Sequence, residues 1–168
     1  NNTTGVKLND VTKVFCYQQQ KLIAVNNISL QFSPGEISVL LGQNGAGKTT
    51  LFSMIIGSLA ATKGSIYVEG KNISKQTKEA RETIGFCPQT NTLFPDLTVK
   101  EHIWFFWTIK AGQYPLENEI KKVVFLAKIE EFENVPTKKL SGGTKRKLSI
   151  CLAFCGNTKV VILDEPTS

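Results

Sequence analysis

The stretch GQNGAGKT, residues 42–49, follows directly on the apolar run ISVLL, residues 37–41. It fits the pattern G-x-x-x-x-G-K-[ST] at every position. Glycines let the backbone wrap tightly, so that successive N–H groups can converge on phosphate oxygens. A helix opening near Lys48 adds its positive end to the same point. The Lys48 ammonium suits the β- and γ-phosphates of a nucleotide, and the Thr49 hydroxyl suits Mg²⁺. The run 37–41 is short and continuously apolar, the pattern of a strand buried on both faces. A helix is predicted through LFSMIIGSL, residues 51–59.

A phosphate loop of this kind calls for an acid at the tip of a second strand. The C-terminal stretch VVILDEPTS, residues 160–168, supplies two. Asp164 caps four apolar residues and is the candidate Mg²⁺ carboxylate. Glu165 stands beside it, suited to polarise an attacking water.

The chain has 168 residues, enough for a domain with a real core, and no apolar run approaches the roughly 18 residues of a membrane span. The N-terminal stretch NNTTGVKLND has no apolar signal region. The net charge of +6 favours an anionic partner and leaves open nucleotide phosphate, nucleic acid or a membrane surface. The densest basic run is TKRK, residues 144–147, and its simplest reading is a solvated helix face. Cys151 and Cys155 are spaced i, i+4 among apolar residues, as core side chains are, and no C-x-x-C pair occurs.

Around these motifs, ISLQF (28–32) predicts a half-buried strand with Ile28, Leu30 and Phe32 inward, and SPGE (33–36) a turn. GSIYVEG (64–70), TIGFC (83–87) and KVVIL (159–163) predict further strands. Thr98 and Glu101 form a capping box for a helix that Gly112 stops. Pro115 is expected to open the next helix. A final helix is predicted over residues 144–155, with Leu148, Cys151, Leu152 and Cys155 on one face, closed by Gly156. Strands alternating with helices predict an α/β fold with a largely parallel sheet and an added antiparallel part near the N-terminus.

LSGGTKRKLSI, residues 140–150, selects among phosphate-loop proteins. A Leu-Ser-Gly-Gly stretch running into a basic helix, shortly before an apolar strand ending in Asp-Glu, resembles the signature of ABC ATPases. The order phosphate loop, glutamine after a strand, signature and acidic strand is similar to that family across the whole chain. CPQTNTLFPDLTVKEH, RKLS and KVVILDEPTS resemble subfamily A of ABC transporters, mostly lipid exporters. One departure is Thr144, where many members carry Gln or Met.

The resemblance implies a P-loop NTPase with an ABC-type core, an N-terminal antiparallel part and a helical signature region. The implied boundaries are about 1–36 for the antiparallel part, 37–88 for the loop core, 89–145 for the helical region and 146–168 for the core again. Gly42, Gln43, Asn44, Gly45, Ala46, Gly47, Lys48, Thr49 and Thr50 would bind ATP. Tyr17, with Phe15 second, matches the adenine-stacking aromatic, and Val25 would lie near the ribose or base. Gln89 matches a glutamine that touches Mg²⁺ and the attacking water, joining Glu165 and Lys48 as a catalytic candidate, and Thr49, Gln89 and Asp164 are the metal candidates. Ser141, Gly142 and Gly143 would meet ATP bound to a second nucleotide-binding domain in a head-to-tail sandwich.

The transmembrane domains of the same transporter are the other implied partners, with NTLFPDLTVKEHIWFFW (91–107) facing them at the cytosolic side of a membrane. The family continues past its acidic strand to a D-loop and a switch histidine, so a fragment of a longer transporter is expected, not competent for turnover alone. Two rivals bear on the same residues. A soluble ABC ATPase acting on ribosomes or nucleic acid draws on the +6 charge but lacks an RNA-binding motif. A small-molecule kinase or GTPase lacks the N-K-x-D guanine-reading stretch, and the signature would have no role in it.

Overall fold

The computed structural model describes residues 5–18 and 20–166, and these fall into two compact units divided between Thr83 and Ile84. The first unit is built on a long hairpin. Strand β1 (Val6–Tyr17) pairs antiparallel with β2 (Gln20–Phe32). On its other edge β1 pairs antiparallel with β3 (Lys63–Val68), and the short β4 (Lys71–Asn72) completes the order β2-β1-β3-β4. Val6, Leu8 and Val11 of β1 and Ile66 and Val68 of β3 supply the buried face. Helix α1 (Lys48–Ile55) adds Leu51, Met54 and Ile55 to this core. The short α2 (Thr77–Arg81) sends the Arg81 guanidinium to the carbonyls of Ile56 and Gly57, satisfying the C-terminal end of α1.

Two expectations for this unit are corrected. Residues 37–41 form no strand, and Ile37 (97% exposed), Val39 (74%) and Leu41 (86%) face outward. A continuously apolar strand is buried only when neighbours flank it in a sheet, and among the described residues none hydrogen-bonds along this run. In β2, Ile28 and Phe32 are half-buried but Leu30 is exposed.

The second unit holds the parallel pair β5 (Ile84–Cys87) and β6 (Val160–Leu163), with Ile84 opposite Val160 and Cys87 opposite Leu163. Three helices follow β5: α3 (Val99–Ala111), α4 (Glu117–Ala127) and α5 (Gly142–Ala153). Val99 and Ile103, Ile120 and Val124, and Leu148, Leu152 and Cys155 close one apolar core between them. Burial pushes the Cys155 thiol up to about 12, so it stays protonated and acts as a small apolar side chain.

The α3 capping box forms as the sequence predicts. The Glu101 N–H donates to Thr98 Oγ1 (3.2 Å), and the Thr98 N–H donates to Glu101 Oε2 (2.7 Å). Gly112 ends the helix in the left-handed region at φ 68°. Helix α4 begins at Glu117, two residues beyond Pro115, so the proline precedes the helix instead of opening it. Glu119 Oε2 accepts the Leu116 N–H at 2.7 Å and supplies the start. Helix α5 begins two residues earlier than the pattern suggests, at Gly142, because Ser141 Oγ accepts the Thr144 N–H (3.2 Å). It then packs directly on β5: a side chain at Gly85 would collide with the carbonyl oxygen of Ala153.

Candidate nucleotide site

The phosphate loop turns on two left-handed glycines, Gly45 (φ 82°) and Gly47 (φ 90°). Gly47 is also the N-cap of α1, and a side chain there would collide with the carbonyl oxygen of Ala24. The loop therefore lies against β2, where Val25 is buried in contact range of Gly47. Lys48 folds back over the loop, donating to the carbonyls of Gly42 (2.7 Å) and Gln43 (3.1 Å). The first turn of α1 carries no acidic residue, so nothing of its own opposes an anion at the positive helix end. Tyr17 ends β1 and is 75% exposed, and Phe15 is 39% exposed with the Lys13 ammonium 5.1 Å from its ring centroid.

In the second unit, Asp164 and Glu165 follow directly on β6. Asp164 is only 4% exposed, and its N–H donates to the Cys87 carbonyl at 2.9 Å, extending the β5–β6 ladder by one rung. Glu165 adopts a left-handed backbone (φ 45°), a conformation that costs a side-chain-bearing residue about 1–3 kcal/mol and that clusters at functional sites. Its Oε2 accepts a 2.7 Å hydrogen bond from Gln89 Nε2. Gln89 and Glu165, 76 residues apart, are thus brought together. Thr167 and Ser168 lie outside the described residues.

Ser141 caps α5 and its hydroxyl lies 2.8 Å from that of Thr144. A side chain at Gly142 or Gly143 would meet nothing within 4 Å. Packing within this chain therefore does not require glycine at either position, and the helix start stays open to an outside group. His102 is fully buried, where its Nε2 accepts the Phe94 N–H and its Nδ1–H donates to the Thr98 carbonyl, both at 2.9 Å. It pins the loop after Gln89 to the start of α3. Of the aromatic run, Trp104 is exposed and stacks on Tyr114 (centroids 5.1 Å apart), whereas Phe105, Phe106 and Trp107 are half-buried.

The basic run TKRK is not a uniformly solvated face. Arg146 turns inward and donates to backbone carbonyls beside Gln89 and Glu165. The sequence reading missed it. Its helical row held a signal: Ser149 and Ala153, three and seven residues on, are small and buried, as a close-packed row requires.

Each unit carries oxygen donors of the kind that Mg²⁺, a hard cation, takes: the Thr49 hydroxyl in the first, and the buried Asp164 carboxylate and the Gln89 amide oxygen in the second. The glycine loop fits a nucleotide phosphate. Loop, following helix and acid-tipped parallel strand together define an α/β nucleotide-binding domain of the phosphate-loop class.

A family profile described as ABC transporter matches residues 25–168. Phospholipid-transporting ATPase ABCA3 of Homo sapiens is 41% identical over 165 residues, covering 98% of this chain and 10% of that protein. ATP-binding cassette sub-family A member 17 of Rattus norvegicus is 40% identical, covering 98% of this chain and 9% of that protein. The chain thus spans about a tenth of the length of these curated relatives. Among solved structures, the dimeric bacterial ABC transporter cassette MJ0796 superposes with a TM-score of 0.84 at 26% identity, covering 96% of this chain and 74% of that one. Its post-hydrolysis state bound to ADP and Pi matches with the same TM-score at 27% identity. The chain belongs to the ABC transporter family and is an ATP-binding domain with the ABC cassette fold, similar to members of subfamily A. Among the described residues no helix is long and apolar enough to cross a membrane.

Proposed function

We propose that this domain binds and hydrolyses ATP to drive movement of a lipid, a phospholipid by class, across a membrane. The observation that carries the hydrolytic part is the Gln89–Glu165 hydrogen bond beside the buried Asp164. The lipid assignment is supported by 41% identity over 98% of the chain to a phospholipid-transporting ATPase.

In this reading the N–H groups of the loop 42–49 and the Lys48 ammonium bind the phosphates. Lys48 exchanges its two loop carbonyls for phosphate oxygens when nucleotide enters. Thr49, Asp164 and Gln89 would hold Mg²⁺, which when bound neutralises phosphate charge and fixes the γ-phosphate for in-line attack. Glu165 accepts the proton of the attacking water, and Gln89 orients that carboxylate and the water. Tyr17 stacks on the adenine, with Phe15 as the alternative and Val25 near the ribose.

The partners are a second nucleotide-binding domain and the transmembrane domains of the same transporter, at the cytosolic face of its membrane. The open start of α5 at Ser141, Gly142 and Gly143 supports contact with ATP held by the second domain. The test is the whole protein reconstituted in phospholipid vesicles. ATP-dependent movement of labelled phospholipid between leaflets is expected, with none when ATP is replaced by ADP. ATP hydrolysis without lipid movement for any headgroup class would remove the lipid assignment, and no hydrolysis at all would remove the enzymatic one.

A further inference from the structure

The end of the β5–β6 ladder is closed by a side chain. The ladder's last rung is the Asp164 N–H on the Cys87 carbonyl. From there the Arg146 guanidinium spans both exits. Nη1 donates to the carbonyls of Pro88 (2.6 Å) and Gln89 (3.1 Å) after β5. Nη2 donates to those of Asp164 (3.1 Å) and Glu165 (2.8 Å), and Nε to that of Pro166 (2.9 Å), after β6. A guanidinium has five N–H donors, so each has a backbone acceptor here. These carbonyls belong to the residues whose side chains meet at 2.7 Å, Gln89 and Glu165, or to their neighbours. The left-handed backbone at Glu165 has Arg146 on its own carbonyl and on those before and after it. Arg146 stands one turn into α5, the helix that opens with Ser141, Gly142 and Gly143.

We propose that Arg146 is a positioning residue for ATP hydrolysis: it sets the separation of the Gln89 amide and the Glu165 carboxylate, and ties both to the signature helix. The proposal rests on the catalytic reading of Glu165. Lysine cannot replace it, because an ammonium is a point donor with three N–H groups and cannot serve five carbonyls on two backbone segments.

The experiment uses the whole reconstituted protein and the variants Arg146→Lys, Arg146→Gln, Glu165→Gln and, as a charge control, Lys147→Gln. Both Arg146 variants should lower kcat at least about tenfold while KM for ATP stays within about threefold, since the phosphate loop is untouched. Lys147→Gln should leave both unchanged. In a Glu165→Gln background, Arg146→Lys should add little further loss, because the two act as one unit. Hydrogen exchange should rise in peptides covering residues 86–91 and 162–166 of both Arg146 variants, and not in peptides covering α1.

Unchanged exchange at those peptides would overturn the clamp itself. Raised exchange with unchanged kcat, or a rise in KM as large as the fall in kcat, would overturn its role in positioning. Wild-type hydrolysis by Glu165→Gln would instead sink the reading of Glu165, and with it the catalytic part of this proposal. The exchange data would then decide the clamp separately.

Discussion

Gln89 Nε2 donates to Glu165 Oε2 at 2.7 Å, joining the second residue after β5 to the second residue after β6 through their side chains. The contact holds a carboxylate at the end of a strand whose preceding acid, Asp164, is buried. A general base needs a carboxylate held in one orientation, and this bond provides it. Glu165→Gln keeps the shape and the hydrogen-bonding capacity but removes the proton acceptor. ATP affinity in the whole protein should stay within about threefold while kcat falls about a hundredfold or more. Equilibrium nucleotide binding and phosphate release measure the two sides, and a wild-type turnover rate would show that Glu165 is not the base.

Lys48 is held by the Gly42 and Gln43 carbonyls, neutral acceptors that a phosphate oxygen can replace. Lys48→Ala should weaken ATP binding by at least about tenfold, the size of one charge-assisted contact. Titration with a fluorescent ATP analogue checks this. An unchanged dissociation constant would mean that Lys48 does not touch the nucleotide.

Gly47 tests the loop by shape alone. Its φ of 90° disfavours any side chain, and a methyl group would strike the Ala24 carbonyl. Gly47→Ala should cost about 2–4 kcal/mol, from backbone strain and overpacking together. Urea denaturation measures the loss, and a midpoint equal to the wild type would contradict the contact with β2.

His102 makes stability depend on pH. Burial holds its imidazole below the usual value of about 6.5, outweighing the Thr98 carbonyl and the Glu101 carboxylate, which raise it. The unfolded chain therefore takes up a proton that the folded chain refuses. The stability is fully present above the unfolded value, and is lost as pH falls from about 6.5 towards the depressed folded value. Protonation also removes the acceptor for the Phe94 N–H. Urea midpoints should fall between about pH 7.5 and pH 5 in the wild type, and fall less in His102→Gln, which takes up no proton there. Equal slopes in the two proteins would place the dependence elsewhere.

Thr98→Ala removes the hydroxyl that caps α3. A loss of about 1 kcal/mol is expected, typical of an N-cap. Thermal or urea unfolding reads it directly, and no loss would mean that the cap is frayed in solution.

The features legible in the sequence were those whose partners lie close along the chain. Thr98 and Glu101 are three residues apart, so the spacing alone specifies the capping box. The loop 42–49 is also local: its glycines, lysine and threonine act through the backbone turn that they themselves make. Burial was less legible. The run 37–41 has the composition of a buried strand, but composition says only that a residue gains from being covered, not that a neighbour covers it.

Residue types and their spacing are enough to supply the chemical groups of this domain: the glycine loop with Lys48 and Thr49, the acids Asp164 and Glu165, Gln89, and the start of the signature helix. Which of these groups meet depends on contacts between residues far apart in the chain, such as Gln89 and Glu165. The acceptors of Arg146 are main-chain carbonyls up to 58 residues away, and every residue type carries the same carbonyl, so no pattern of side chains could point to them. The parallel strands β5 and β6 had first to bring two distant backbones side by side, because their ladder ends where Gln89 and Glu165 begin to be held.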